Sequence, residues 1–228
     1  MNYLLIGSSS AIAQFVYQKL KSDGHNVWTI SRSEEMNSEK HATCNVASED
    51  FPKDFLPEEL HGLVYFPGTI ILKPFNRISI NEFLSDFSIN VLGAVKSIQV
   101  ALPALKKGNA SVVLISSVAA QKGLSYHTSI ASSKAALEGL SRSLAAEYAP
   151  TIRFNVVAPS ITDTPLANKL LNTENKKVLS GKRHPLARIG NTSDVADSIL
   201  FLLSKKSSWV TGQTLLVDGG MSTLNVYN

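Results

Sequence analysis

The sequence predicts an α/β domain built on one doubly wound, mostly parallel sheet with helices on both faces. Three observations carry that expectation. Short β-rich runs alternate with longer segments of helical spacing along the chain, which implies right-handed crossovers and a parallel sheet. The run Ser111–Ile115 is apolar, as expected of a strand covered on both faces. A loop of small residues, Gly7 to Ala13, joins the first strand to the first helix, where a Rossmann-type sheet turns its backbone toward a ligand. The chain has 228 residues, 44% of them hydrophobic, enough for one sizeable core. No repeat, low-complexity stretch or linker divides it, so residues 1–228 read as one domain.

The elements follow in order. Tyr3–Ile6 is the first strand, and Ala11–Ser22 carries helical spacing through Ile12, Phe15, Val16 and Leu20 before Gly24, a plausible stop. Val27–Ile30 is the second strand, Ala42–Val46 a weak third and Gly62–Phe66 the fourth. Ile80–Leu105 reads as one long helix and Ser129–Tyr148 as another, with Ile152–Val157 a strand after it. Thr192 or Ser193 can cap a helix through Leu203, and Thr214–Val217 closes the series.

Composition excludes several functions. The net charge is +4, with a pI near 9.1, a mild surplus that suits phosphate-bearing ligands. The lysine pairs at 106–107, 176–177 and 205–206 are scattered, with no basic stripe and no interleaved aromatics, so no nucleic acid is expected. Cys44 is the single cysteine, which excludes a disulfide framework and a cysteine-based zinc cluster. No metal site is expected. The start of the chain lacks the charged and apolar regions of a signal peptide, and no apolar run reads as long enough to span a bilayer. The expected location is the cytoplasm.

The loop Gly7-Ser8-Ser9-Ser10-Ala11-Ile12-Ala13 has the small residues that let a pyrophosphate approach a positive helix N-terminus. An ordinary strand–helix turn satisfies the same degenerate glycine pattern. At the end of the second strand stands Arg32. An acid there would bind the ribose hydroxyls of NAD, whereas arginine suits the extra phosphate of NADP. A solvated surface arginine is the alternative.

The chain resembles the short-chain dehydrogenases/reductases from Tyr3 to about Gly220. The resemblance is closest over His184-Pro185-Leu186-Ala187-Arg188-Ile189-Gly190, Val210-Thr211-Gly212-Gln213 and Val217-Asp218-Gly219-Gly220. It is nearest the carbonyl-reductase branch, which includes acyl-carrier-protein reductases. The resemblance implies a nicotinamide cofactor, NADP with NAD as the alternative, and a carbonyl or alcohol substrate. It assigns Gly7, Ser9 and Ile12 to the cofactor loop, with Ser10 where NADP-preferring members often place a basic residue. Asn45-Val46 matches an adenine-holding Asp-Val pair. Tyr65-Phe66-Pro67-Gly68 replaces Asn-Asn-Ala-Gly and keeps only Gly68. Pro159, Thr162 and Thr164 match the nicotinamide-side loop, with Ser160 in a glycine position. The stretch Leu166–Gly181 matches the substrate lid. Apolar residues such as Val91, Val95 and Leu144 on the long helices allow the homotetramer or homodimer that the resemblance implies.

The family's catalytic set is Ser, Tyr, Lys and Asn. Here the resemblance gives Ser117, Lys134 and Asn90, but the tyrosine position, four residues before Lys134, is Ile130. Ser117 keeps its usual separation from Ile130, so no shift of alignment restores the phenol. Isoleucine cannot ionise, and general acid–base catalysis typically contributes about 10²–10⁴ in rate. Three readings remain open. Tyr126 or His127, just upstream, replaces the phenol; Ser117 or water serves as proton source; or the chain binds NADP without turnover, as a regulatory or structural protein. Lys134 keeps a purpose in each, because it can hold the ribose.

Overall fold

The computed structural model describes residues 1–33 and 38–225. Among them, seven parallel strands form one sheet in the order β3-β2-β1-β4-β5-β6-β7. These are β1 (Asn2–Ile6), β2 (Asn26–Ser31), β3 (His41–Thr43), β4 (Gly62–Tyr65), β5 (Ser111–Ile115), β6 (Arg153–Pro159) and β7 (Thr214–Val217). The helices are α1 (Ala11–Ser22), α2 (Ile80–Phe87), α3 (Gly93–Lys107), α4 (Thr128–Tyr148), α5 (Asn168–Leu171), α6 (Glu174–Gly181) and α7 (Thr192–Leu203). The doubly wound fold is therefore as the alternation predicted.

Period-two alternation splits the strand side chains between two layers. Leu4, Ile6, Leu63, Tyr65, Val112 and Leu114 pack with α3 and α4 on one face. Tyr3, Leu5, Val64, Val113 and Ile115 pack with α1 and α7 on the other. The strand order reverses between β1 and β4, which opens a crevice at the carboxyl ends of these parallel strands. Gly7 closes β1 there at φ +77°, and a side chain on it would stand 2.8 Å from Pro67 Cδ. Both backbone conformation and space thus demand glycine.

Several boundaries differ from the sequence reading. The third strand stops at Thr43, so Asn45 and Val46 lie beyond it. The cap of α7 is Asn191, whose side chain accepts from Asp194 N while Asp194 reaches back to the Asn191 amide. Thr192 opens the helix proper. The long helix at 80–105 is interrupted by a π turn, Ser88–Leu92, containing Asn90. Its cause is local. The Asn90 side-chain amide donates to the Asp86 carbonyl at 2.8 Å, and Tyr65 OH donates to the Ile89 carbonyl at 2.5 Å. Side chains thereby satisfy groups that the wider turn frees. Including that turn, Ile80–Lys107 is long and apolar enough, by length and composition, to cross a bilayer, contrary to expectation. Half of its most apolar window is buried, and Val91, Ala94, Ile98, Ala101 and Leu105 belong to the core. Val91 is therefore core rather than surface, while Ile80, Leu84, Phe87 and Leu92 are the exposed apolar residues of this run.

Tyr65 needs the space that Gly93 leaves, since a Cβ at Gly93 would lie 2.2 Å from the phenol oxygen and 3.3 Å from Cζ. Gly93→Ala should destabilise the protein by about 1–3 kcal/mol through overpacking. The same substitution in a Tyr65→Phe background should cost much less, because the clashing oxygen is gone. A double-mutant cycle by urea unfolding measures this coupling; additive losses would contradict the contact.

Candidate active site

A cavity of about 640 Å³ occupies the carboxyl end of the sheet. Its walls bring together most of the residues singled out from the sequence. Ser9, Ser10 and Ile12 come from the loop and start of α1, Gly68 from the segment after β4, and Ser117 from the turn after β5. Ile130 and Lys134 come from α4, and Pro159, Thr162 and Thr164 from the segment at the end of β6. Gly7 sets the turn behind Ser9. Asn90 lies directly behind the wall, its Oδ1 3.3 Å from where a Gly68 Cβ would stand.

Other predicted residues fall outside. Arg32 is exposed at the end of β2, Asn45 is half-buried with its side chain accepting from Ala47 N, and Val46 packs into the core. Tyr126 is 58% exposed at φ +69° and does not line the cavity. The structure therefore does not bring this phenol to the site. His127 does line it, with Nδ1 bonded to the Ser125 carbonyl at 2.7 Å. No tyrosine lines the cavity among the described residues.

The three loop serines have separate tasks. Ser8 is buried and bonds the Ile30 carbonyl, Ser10 caps α1 by accepting from Ala13 N, and Ser9 is exposed on the rim. The first amides of α1 consequently face the crevice with the positive end of the helix behind them.

Lys134 is the chemical centre of the wall. It is 5% exposed, and its Nζ donates to the Ile115 carbonyl at the end of β5, at 2.7 Å. Burial pulls its pKa down to about 7, partly opposed by the nearby Asp86 charge. A buried chain of polar groups runs beside it. Ser129 Oγ donates to Asp86 Oδ2 at 2.6 Å, Thr69 Oγ1 to Asp86 Oδ1 at 2.5 Å, and Asn90 Nδ2 to Thr69 Oγ1 at 3.2 Å. Asn90 Oδ1 is buried without a hydrogen-bond partner, an open acceptor directed at the Gly68 side of the cavity. Ser117 Oγ accepts from Ala119 N. Ser116 and Gln121 both donate to buried Glu138 and so tie the β5 end to α4.

Sequence reasoning missed Asp86 and Thr69. Asp86 stands four residues before Asn90, one helical turn away, and that spacing was the available signal. It also missed that Ser160 and His184 meet across the cavity, Oγ to Nε2 at 2.8 Å. Among the described residues the lining charges are Lys134, Lys176 and Arg183, with no aspartate or glutamate. Much of the remaining wall is apolar, including Phe66, Ile70, Leu72, Leu124, Leu166 and Leu179. The stretch Leu166–Gly181, matched by resemblance to a substrate lid, folds as α5, α6 and their flanking turns.

Comparison with known proteins decides the family. The family model described as enoyl-(acyl carrier protein) reductase matches residues 7–222. The chain belongs to the short-chain dehydrogenase/reductase family. A tropinone reductase homolog of Arabidopsis thaliana is 30% identical over 243 residues, covering 97% of this chain and 93% of the relative. The ligand-free aldohexose dehydrogenase of Thermoplasma acidophilum superposes with a TM-score of 0.91 at 28% identity, covering 100% and 96% of the two chains. ElxO with NADP bound superposes with a TM-score of 0.89 at 25% identity, covering 98% and 99%. Short-chain dehydrogenases/reductases are oxidoreductases that bind nicotinamide cofactors and act on small molecules.

The buried lysine makes stability depend on pH. In the unfolded chain the amine regains its ordinary, higher pKa, so above about pH 7 the unfolded state binds more protons than the folded one. Nucleotide-free protein should gain stability as pH rises from 7 toward 10, by at most ~1.4 kcal/mol per pH unit from this group. Lys134→Met should remove that part of the gain. Urea unfolding of both proteins at pH 7 and pH 9 checks the sign; equal gains would exclude it.

Proposed function

We propose that this short-chain dehydrogenase/reductase uses NADP(H) to interconvert a carbonyl and an alcohol in a site where Ile130 replaces the usual catalytic tyrosine. The observation that carries the reading is the cavity, in which a helix N-terminus, a buried lysine and, among the described residues, a wall free of carboxylates face one space.

A nicotinamide dinucleotide fits these residues. Gly7, Ser9, Ser10 and Ile12 would receive the pyrophosphate, because the α1 terminus and the cationic lining favour negative charge. Arg32 would meet the 2′-phosphate, and Asn45 and Val46 the adenine. Gly68 and Lys134 would hold the nicotinamide-side ribose, with Asn90 Oδ1 accepting from a water or hydroxyl there. Pro159, Thr162 and Thr164 would hold the carboxamide; the Thr162 hydroxyl, bonded to the Ser160 carbonyl at 3.0 Å, keeps that loop in shape. When bound, the cofactor gives or takes a hydride. Ser117 polarises the substrate oxygen, and the apolar walls exclude water from it. ElxO, a structural relative, carries NADP, which supports the same choice here.

Ile130, buried at 5% exposure, is the observation that favours a second reading, a nucleotide-binding protein without turnover. We further propose assembly as a homotetramer or homodimer through the exposed apolar residues Ile80, Leu84, Phe87 and Leu92. The single, buried Cys44 is consistent with a reducing cytoplasm as the working location.

Calorimetry should show NADPH bound at least tenfold more tightly than NADH, about 1.4 kcal/mol, with Arg32→Ala erasing the difference; light scattering on the same samples reads the assembly. Equal affinities in wild type would reject NADP preference.

Ile130→Tyr should raise turnover of an activated diketone, with ~10⁴-fold as the ceiling for general acid catalysis. Tyr126→Phe should leave turnover unchanged, and its loss would return Tyr126 to the site.

A further inference from the structure

Ser160 stands where the resemblance places a glycine, so its hydroxyl is an addition at the cavity wall. His184 faces it, 5% exposed and held at both ring nitrogens. Nδ1 lies 2.9 Å from the Ser180 carbonyl and Nε2 2.8 Å from Ser160 Oγ. A carbonyl only accepts, so in the neutral ring Nδ1 carries the proton and Nε2 accepts from the Ser160 hydroxyl. This is a hydroxyl, a base and an orienting group in series, and Ser160, His184 and Ser180 all line the cavity.

Other candidates lack such a pairing. Among the described residues Ser117 has no titratable partner among its hydrogen bonds. Lys134 spends one ammonium proton on the Ile115 carbonyl. His127 also lines the cavity, with Nδ1 bonded to the Ser125 carbonyl and no hydroxyl recorded on its other ring nitrogen. Thr69 and Ser116 reach Asp86 and Glu138, but each carboxylate already accepts a second donor and neither lines the cavity. Imidazole is also the side chain that, as a class, changes charge nearest neutral pH.

We propose that Ser160 and His184 form the proton relay of this site, delivering through Ser160 the proton that Ile130 cannot supply. The inference rests on the carbonyl–alcohol reading above and deepens it. In reduction, protonated His184 passes its Nε2 proton to Ser160 Oγ as the Ser160 hydroxyl proton moves to the substrate oxygen. The hydride from the reduced nicotinamide forms the new C–H bond, the carbonyl π pair forms the O–H bond, and His184 is left neutral for solvent to recharge. In oxidation the transfers reverse, and neutral His184 is the base.

The charges around the ring are Asp218, whose charge couples to His184, and Arg183 beside it in the chain. Lys176 lies across the cavity. The Arg188–Asp194 pair lines the adjoining pocket that His184 also walls. Lys122 donates to the carbonyl of Met221, whose sulfur, 3.2 Å from Ser160 Oγ, is a second and weaker acceptor for the same hydroxyl proton.

The test compares wild type with Ser160→Ala, Ser160→Gly and His184→Gln. NADPH binding is read by fluorescence, kcat and KM on a diketone panel across pH, and the His184 tautomer by ¹⁵N NMR. The serine variants should keep NADPH affinity within about threefold while kcat falls about 10²–10⁴-fold. His184→Gln should lower kcat by a comparable factor. If His184→Gln fails to fold, the two serine variants decide. Serine variants within twofold of wild-type kcat overturn the relay, and so does a folded His184→Gln within twofold of it. Wild type that binds NADPH yet reduces no member of the panel overturns it too. Failure to bind NADPH or NADH overturns the functional reading beneath it. The NMR arm is independent of nucleotide: a proton on Nδ1 of the neutral ring supports the pair, and one on Nε2 overturns it.

Discussion

The site is organised around one buried ammonium. Lys134 lies at 5% exposure, with its charge directed at the carbonyl that ends β5. Removing a charge from water costs several kcal/mol unless hydrogen bonds and opposite charge offset it. The offset here is partial, as the lowered lysine pKa records. What surrounds it follows from that cost. A Cβ at Gly68 would crowd Lys134 Nζ at 3.2 Å and Asn90 Oδ1 at 3.3 Å, so both groups would have to give by a few tenths of an ångström. Asp86 contributes a buried negative charge, held by hydroxyls from Thr69 and Ser129. A chain retaining such a group gives up stability for a cation at a fixed point in the cavity.

Asn90 reaches its place through an irregular helix. A regular turn would spend the Asp86 carbonyl on a backbone amide. The π turn gives that carbonyl the Asn90 side chain instead, and leaves Oδ1 free toward the cavity. Tyr65 underwrites the arrangement from the sheet side by bonding the Ile89 carbonyl, and Gly93 makes room for its ring. The unusual Tyr65-Phe66-Pro67-Gly68 run is thus part of the positioning of Asn90 as well as a cavity wall. Burial raises the Tyr65 phenol pKa, which suits a fixed neutral donor and not a proton carrier.

Ile130 gives the cavity wall apolar surface continuous with Phe66, Ile115 and Val118. The acid–base capacity left in the cavity is spread over His127, His184 and the hydroxyls they or the carboxylates hold. Among the described residues the lining presents cations and hydroxyls with no carboxylate, an environment that stabilises negative charge developing on oxygen.

By itself, the sequence determined the layer architecture and almost every element. Strand–helix alternation and two-sided burial depend on local periodicity, and periodicity survives without a structure. The resemblance carried by the sequence also singled out Ser117, Ile130 and Lys134, and all three line the cavity. The meeting of Ser160 with His184, the Asp86–Thr69–Asn90 chain and the exclusion of Tyr126 were decided only by tertiary structure. Each depends on how two segments distant in sequence pack, or on a backbone angle such as the positive φ of Tyr126. The break in the 80–105 helix has the same origin. Its residues have continuous helical spacing, and the π turn exists because Tyr65, on another element, has a hydroxyl that takes the Ile89 carbonyl.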